Sequence, residues 1–504
     1  MPRRAQPKIL FVGGGFIDSQ LTYVLPMLDG FCRQRGIERV MFEQRPSSSI
    51  VSHPRLQEIL SRYEVEVKPL RKIRAVGQRF IRAVYMILAL VPSIYVTLSI
   101  KVHGPMKRTT WFSYQIRHAV WDTARNSTQD GTLILPVRVM LQSAAQVFMK
   151  LYEAQSLLIR KNIVAGFFGH TVYSSRATVA AFRRMKVEVY AQAANCIYRV
   201  PSNYDNSSNY LTGLEWQTMK LRMNWRDVEN HWHKLSQGKS RNSEVQLASQ
   251  KKANVEADTP QNVVLLHVFR DSPFNLIDAE RIFVDYVDWI EKTLAILSTV
   301  TENWLIRMHP TAELWGENQF QWMQSIIRKV YGPHGLPDHI VMSEAVHSNI
   351  EIFQHSKRIL TYNGSAHIEA ACWGIKPIII SKTGLHSISR ELVLKPSSLE
   401  EYQSWILKPS NDPFFVLPEE ARREAQRFIY ARDHVLSFAD DIQWVNVYRS
   451  SDDSERSHNL LAMLEKVGSF EQYMFSQGQE LALGIPRTRG SKASAHSFKR
   501  EGET

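Results

Sequence analysis

Residues 358–381, RILTYNGSAHIEAACWGIKPIIIS, admit few local structures. Ile359 and Leu360 run into the polar turn Asn363-Gly364-Ser365. Ile368, Ala371 and Cys372 then recur at helical spacing, and Gly374 and Pro377 bracket a second apolar run at 378–380. The pattern is strand, turn, helix, strand. Its small residues fall where the strand ends and the helix begins. Backbone N–H groups are free there, and the helix dipole favours an anion. Upstream, WLIRMHP at 304–310 is an apolar run ending in Arg307, His309 and Pro310. Two strands that both end in phosphate-friendly chemistry predict a nucleotide or phosphate site at the carboxyl edge of a parallel sheet.

A chain of 504 residues exceeds one ordinary core, so two domains are expected. Cys32, Cys196 and Cys372 lie far apart, with neither metal-ligand nor disulfide-framework spacing, which fits a reducing compartment. The run at 9–12 is short and ends in three glycines, so no secretory leader is expected. His231-Trp232-His233 suggests a metal pair, but residues two apart do not share a helix face. No metal and no cofactor are predicted.

The net charge of +13 is unevenly placed. Residues 1–120 hold 19 Lys and Arg against 7 Asp and Glu, an excess of 12. That asymmetry points to an anionic partner. No zinc-finger spacing, RNP-type strand or basic zipper is present, so nucleic acid is not expected. Residues 83–100, AVYMILALVPSIYVTLSI, carry no charge and are flanked by Arg71, Lys72, Arg74, Arg79 and Arg82, then by Lys101, Lys107 and Arg108. Pro92 is expected to break this run. Three readings stay open: buried helix and strand, a helix in the interface of an anionic membrane, and a span.

Along the chain, 8–12 reads as a strand, Gly13-Gly14-Gly15 as a turn, 21–30 as a helix and 39–42 as a strand. The glycines lack the G-x-G-x-x-G spacing, and are read as lining an acceptor groove rather than a nucleotide site. Helix is expected over 143–160, strand over 162–168, helix over 175–185 and strand over 187–191. His170 comes just after the 162–168 strand, either as a general base or as a loop-capping hydrogen-bond group. Residues 1–235 form the first expected domain. Residues 236–261 are polar and read as a linker or flexible loop. In 262–418, strand and helix alternate: strands at 263–268, 304–308 and 339–342, helices at 279–297, 319–330 and 349–355, and then the 358–381 unit. Residues 419–486 read as helices packing back, and 487–504 as a disordered basic tail.

The motifs HVFRDSPF at 267–274, RMHP at 307–310 and TYNGSAHIEAACWGIKPI at 361–378 resemble those of the capsule polysaccharide biosynthesis proteins. These are similar to bacterial GT-B glycosyltransferases and include Kdo-transferase-like members. The resemblance is strongest over 262–385. It is weaker in the first half, where GHTVYSSR at 169–176 looks like the family's central motif. It implies an α/β protein with two Rossmann-like domains facing across a cleft, the acceptor held by the first and the activated sugar by the second. The implied setting is cytoplasmic, peripheral to the inner face of a bacterial cell membrane. The partners would be a nucleotide sugar and a polysaccharide or lipid-linked acceptor.

Chemistry then assigns the residues. A departing nucleotide puts negative charge on phosphate, which preorganised donors stabilise. Asn363, Gly364 and Ser365 suit that task at a helix start, and Glu369, one turn on, is read as accepting from ribose hydroxyls or as a solvated charge. Arg307 and His309 are read as holding phosphate or a sugar carboxylate, the alternative for Arg307 being a structural ion pair. Arg270 is a further anion clamp, and Asp271 a candidate base beside His170. The rivals are transfer of a polyol phosphate of teichoic-acid type, a non-catalytic scaffold or export partner in capsule assembly, and a sugar-nucleotide epimerase.

Overall fold

The computed structural model describes residues 7–13, 18–44, 54–67, 74–103, 111–128, 135–169, 171, 173–193, 196–200, 216–217, 220–221, 223–237, 262–269, 282–310, 312, 317–343, 349–380, 385–432 and 479. The chain forms two compact units. One comprises Met1–Tyr95, Ala144–Tyr210 and Asp433–Thr504, the other Val96–Ser143 and Leu211–Arg432.

The first unit is built on six strands: β1 (Ile9–Val12), β2 (Arg39–Phe42), β3 (Glu64–Val67), β4 (Ile163–Phe168), β5 (Glu188–Ala193) and β6 (Cys196–Arg199). Their spatial order is β3-β2-β1-β4-β5-β6, parallel except for the antiparallel edge pair β5–β6. Every residue of β1 is buried, as a strand covered on both faces requires. The aromatic rings pack in two clusters, Phe11, Phe168 and Phe182 on one face of the sheet and Phe31, Phe167 and Tyr190 on the other.

Gly13 closes β1, and its N–H donates to Phe167 O at 2.7 Å. A Cβ there would lie 2.3 Å from Phe168 Cδ1 and 2.5 Å from Cε1. The glycine lets β1 pass a rigid, buried ring; Gly14 and Gly15 lie outside the described residues. Gly13→Ala is therefore expected to destabilise the fold by about 1–3 kcal/mol through overpacking. A melting curve several degrees below wild type would show it, and an unchanged one would remove this role.

The second unit holds β7 (Asn262–Leu265), β8 (Trp304–Arg307), β9 (Ile340–Ser343), β10 (Arg358–Thr361) and β11 (Ile378–Ile379). The order is β11-β10-β7-β8-β9, all parallel. The four residues of each of β7, β8 and β10 are buried. Arg358 anchors the amino edge of this sheet. Fully buried, it donates to Asn262 Oδ1 (2.9 Å) and to the carbonyls of Ile406 and Lys408 (both 2.6 Å), pairs with Glu302, and lies over the Trp304 ring. The two sheets share one plan. Each first strand gains two parallel neighbours on one side before the chain crosses to the other, so the direction reverses between β1 and β4 and between β7 and β10. The molecule is thus α/β with two Rossmann-like units.

Three expectations change. Residues 74–103 form one continuous helix with Pro92 inside it, not helix and strand broken at Pro92. A proline removes its own N–H bond and crowds the carbonyl four residues back, but strong helix formers such as Leu88, Ala89 and Leu90 precede it and the helix continues. No described helix is long and apolar enough to cross a membrane, so the span reading for 83–100 is dropped. The helix expected over 279–297 is Tyr286–Leu297, because the Asp285 carboxylate caps it by accepting from Asp288 N at 3.0 Å. At the far end, the helix Glu419–Tyr430 packs on the helices Ala366–Cys372 and Trp225–Ser236, as the packing-back reading expected; after Arg432, only residue 479 is described.

Candidate functional site

The carboxyl ends of β7, β8 and β10 open onto one hollow. Its lining includes His267, Arg307, His309, Asn349, Asn363, Gly364 and Ser365. It sits at the topological switch point between β7 and β10, where strands diverge and leave a crevice. Sequence reasoning named five of these seven residues. His170, Arg270 and Asp271 lie outside the described residues.

Arg307 is the last residue of β8 and is 3% exposed. Its Nη1 donates to Asn349 Oδ1, and Asn349 Nδ2 donates to Glu369 Oε2 at 3.1 Å. A guanidinium, an amide and a carboxylate thus form one buried chain. Burial pulls the Arg307 pKa down to about 10, against the opposing pull of Glu369 and then Glu351. The group stays cationic at neutral pH. Glu369 is nearly buried and stands behind Asn349, without lining the hollow itself. Its described polar contact is therefore with protein.

His309 is neutral at physiological pH. Burial, then the neighbouring His267 and Arg307, pushes its pKa down to about 3. It offers hydrogen bonds to a ligand and no charge. The rings of His267 and His309 stand 5.7 Å apart. One buried side chain holds both residues in place: Gln319 Nε2 donates to His267 O at 2.8 Å, while its Oε1 accepts from His309 N at 2.5 Å. The buried Tyr286 hydroxyl adds a second clamp, accepting from His267 N at 2.7 Å and donating to His267 O at 3.0 Å. His267 Nδ1 lies 3.2 Å from Val268 O. A proton on Nδ1 makes that bond and leaves Nε2 as an acceptor.

The turn after β10 is tightly specified. Gly364 has φ +104°, which L side chains rarely adopt, and a Cβ there would come within 3.3 Å of His267 Cδ2. Thr361 Oγ1 donates to Asn363 O at 2.9 Å. His367 is buried and bonds on both ring nitrogens. Nδ1 donates to Gly364 O at 2.5 Å, and Nε2 accepts from Leu385 N at 3.3 Å, which fixes the neutral tautomer. The helix Ala366–Cys372 starts directly after Ser365, whose hydroxyl makes no capping bond.

His267, Asn349 and Gln319 went unassigned in the sequence. For His267 a signal existed: it lies two residues past the end of the strand at the switch point. Asn349 and Gln319 carry no local signal beyond opening helices.

No protein-family profile matches this sequence, and no curated protein matches it. Solved structures with a similar trace include KpsC, a beta Kdo 2,4 transferase of Thermosulfurimonas dismutans, at 10% identity and TM-score 0.31, covering 53% of this chain and 79% of that one. The UDP-GlcNAc 2-epimerase of Neisseria meningitidis bound to UDP-GlcNAc matches at 10% identity and TM-score 0.31, over 84% of this chain and 99% of that one. The glycosyltransferase SnogD of Streptomyces nogalater matches at 11% identity and TM-score 0.26, over 91% and 100%. Likenesses this distant decide neither activity nor substrate.

Proposed function

We propose that the protein is a GT-B-like glycosyltransferase that moves a sugar from a nucleotide-sugar donor onto a bacterial surface polysaccharide or glycolipid acceptor at the cytoplasmic face of a membrane. One observation carries the reading. A buried, still-cationic Arg307, two histidines held by one amide and a glycine turn at a helix start converge on a single hollow at the switch point. That set suits an anion that gains charge during reaction. The donor phosphates would lie along Arg307 and the Asn363–Ser365 turn, with His309 as a neutral hydrogen-bond group and His267 beside it. The acceptor oxygen forms a bond to the anomeric carbon as the carbon–phosphate oxygen bond breaks. The electron pair leaves on the nucleotide phosphate, and the hydroxyl proton passes to a base. His170 and Asp271 remain the candidates for that base.

A thermal-shift panel of nucleotide sugars and free nucleotides tests the donor assignment. A donor at about 100 times its Kd adds about 2.7 kcal/mol to the native state and raises its melting temperature by several degrees. No shift from any sugar nucleotide or free nucleotide at millimolar concentration would remove the assignment. With a donor in hand, product analysis separates the rivals. Phosphorus in the product indicates polyol-phosphate transfer, and donor turnover without acceptor indicates epimerisation.

A further inference from the structure

The helix Arg74–His103 is polarised in the opposite sense to a water-facing helix. Ile87, Val91 and Tyr95 are 70, 73 and 70% exposed, and Leu88, Leu90, Ile94 and Leu98 lie between 42 and 57%. Positions 87, 88, 91, 94, 95 and 98 fall on one helical stripe. The opposite stripe, Ala89, Ser93, Val96, Thr97 and Ile100, is buried. Ala89, Ser93 and Thr97 thus face protein together with Val96 and Ile100, while a longer row of large apolar residues faces outward. A contiguous apolar stripe of this kind marks an interaction surface. Charge says what it meets. From residue 67 to residue 116 there is no Asp or Glu, and there are nine Lys and Arg. Arg74, Arg79 and Arg82 fall in the first turns of the helix itself. A second copy of the same surface would set these cations against their like. An anionic bilayer supplies both complements, headgroup charge for the cations and acyl chains for the stripe.

We propose that this helix lies in the headgroup–acyl boundary of an anionic bilayer, with Ile87, Val91 and Tyr95 inserted and the flanking cations on lipid phosphates. The proposal deepens the transferase reading, since it names the surface at which a membrane-bound acceptor is met. Docking is measured without donor or acceptor, whereas donor binding is measured without lipid, so the two ideas fail separately.

The test is co-sedimentation of the full chain with phosphatidylcholine vesicles, with and without about 30 mol% phosphatidylglycerol. The expected result is at least about tenfold tighter binding to the anionic vesicles, lost as salt rises from about 0.05 to 0.5 M. Val91→Glu with Tyr95→Glu is expected to lower binding by about tenfold or more at unchanged circular dichroism, because exposed positions tolerate such changes. A second readout avoids added charge. Val91→Cys in a Cys196→Ser background, with Cys32 and Cys372 buried, takes an environment-sensitive dye whose emission should shift blue on anionic vesicles. Equal binding to neutral vesicles at all salt concentrations, glutamate variants that bind like wild type, or an unmoved dye would each overturn the proposal. So would an oligomer in solution that the glutamate pair dissolves, which would assign the stripe to a second copy.

Discussion

Arg307→Met lowers kcat/KM for sugar transfer by about 10²–10³-fold, the effect expected when one preorganised charge is removed from a developing anion. Burial is the reason. Arg307 is 3% exposed and lines the hollow, with Nη1 already fixed on Asn349. A guanidinium held this way needs no reorganisation when a phosphate arrives, and it remains charged because its pKa falls only to about 10. Arg307→Lys should not restore activity. An ammonium starts from a lower pKa, so the same burial moves it nearer neutrality, and it lacks the planar fork. Steady-state kinetics together with donor binding decide the matter. A methionine variant within about threefold of wild type in both would leave Arg307 a structural residue, since losses that small are below one hydrogen bond.

The elements most legible in the sequence were those written in apolar runs. β10, the turn, the helix Ala366–Cys372 and β11 were all readable in 358–381, because a strand buried on both faces is a continuous hydrophobic run and Gly364 marks a backbone that only glycine adopts easily. Arg307 and His309 were readable as the end of a strand. What the sequence concealed was the set of residues that hold these in place. Gln319 reaches His267 across 52 positions, and Asn349 reaches Arg307 across 42. No local periodicity encodes such a contact; only the strand order brings its ends together. Helix Arg74–His103 was obscured for a different reason. Pro92 argued for a break, and the helix runs through it. Gly13 shows a third limit. Its position in a glycine cluster suggested a ligand groove, while its described contacts are a neighbouring strand and an aromatic ring.

Glu369→Leu is expected to cost about 1–3 kcal/mol of stability in the absence of any ligand, because the buried Asn349 amide loses its acceptor and Arg307 the larger of its two favourable charges. Sequence reasoning left Glu369 as a ribose acceptor or a solvated charge; its Oε2 accepts from Asn349, which in turn holds Arg307. The carboxylate is also the largest influence keeping the Arg307 guanidinium charged against burial. Removing it leaves the buried cation with only the weaker pull of Glu351, whereas removing both should recover part of the loss. The double variant Arg307→Met with Glu369→Leu is expected to be more stable than Glu369→Leu alone, with a coupling of about 1–3 kcal/mol in a double-mutant cycle. Denaturant unfolding measures it. A ribose ligand predicts the reverse pattern: near-wild-type stability for Glu369→Leu without donor, no coupling to Arg307, and about tenfold or greater loss of donor affinity, since one charged hydrogen bond would be gone. The two patterns share no outcome, so a single set of four unfolding curves and one donor titration assigns the carboxylate either to the protein or to its ligand.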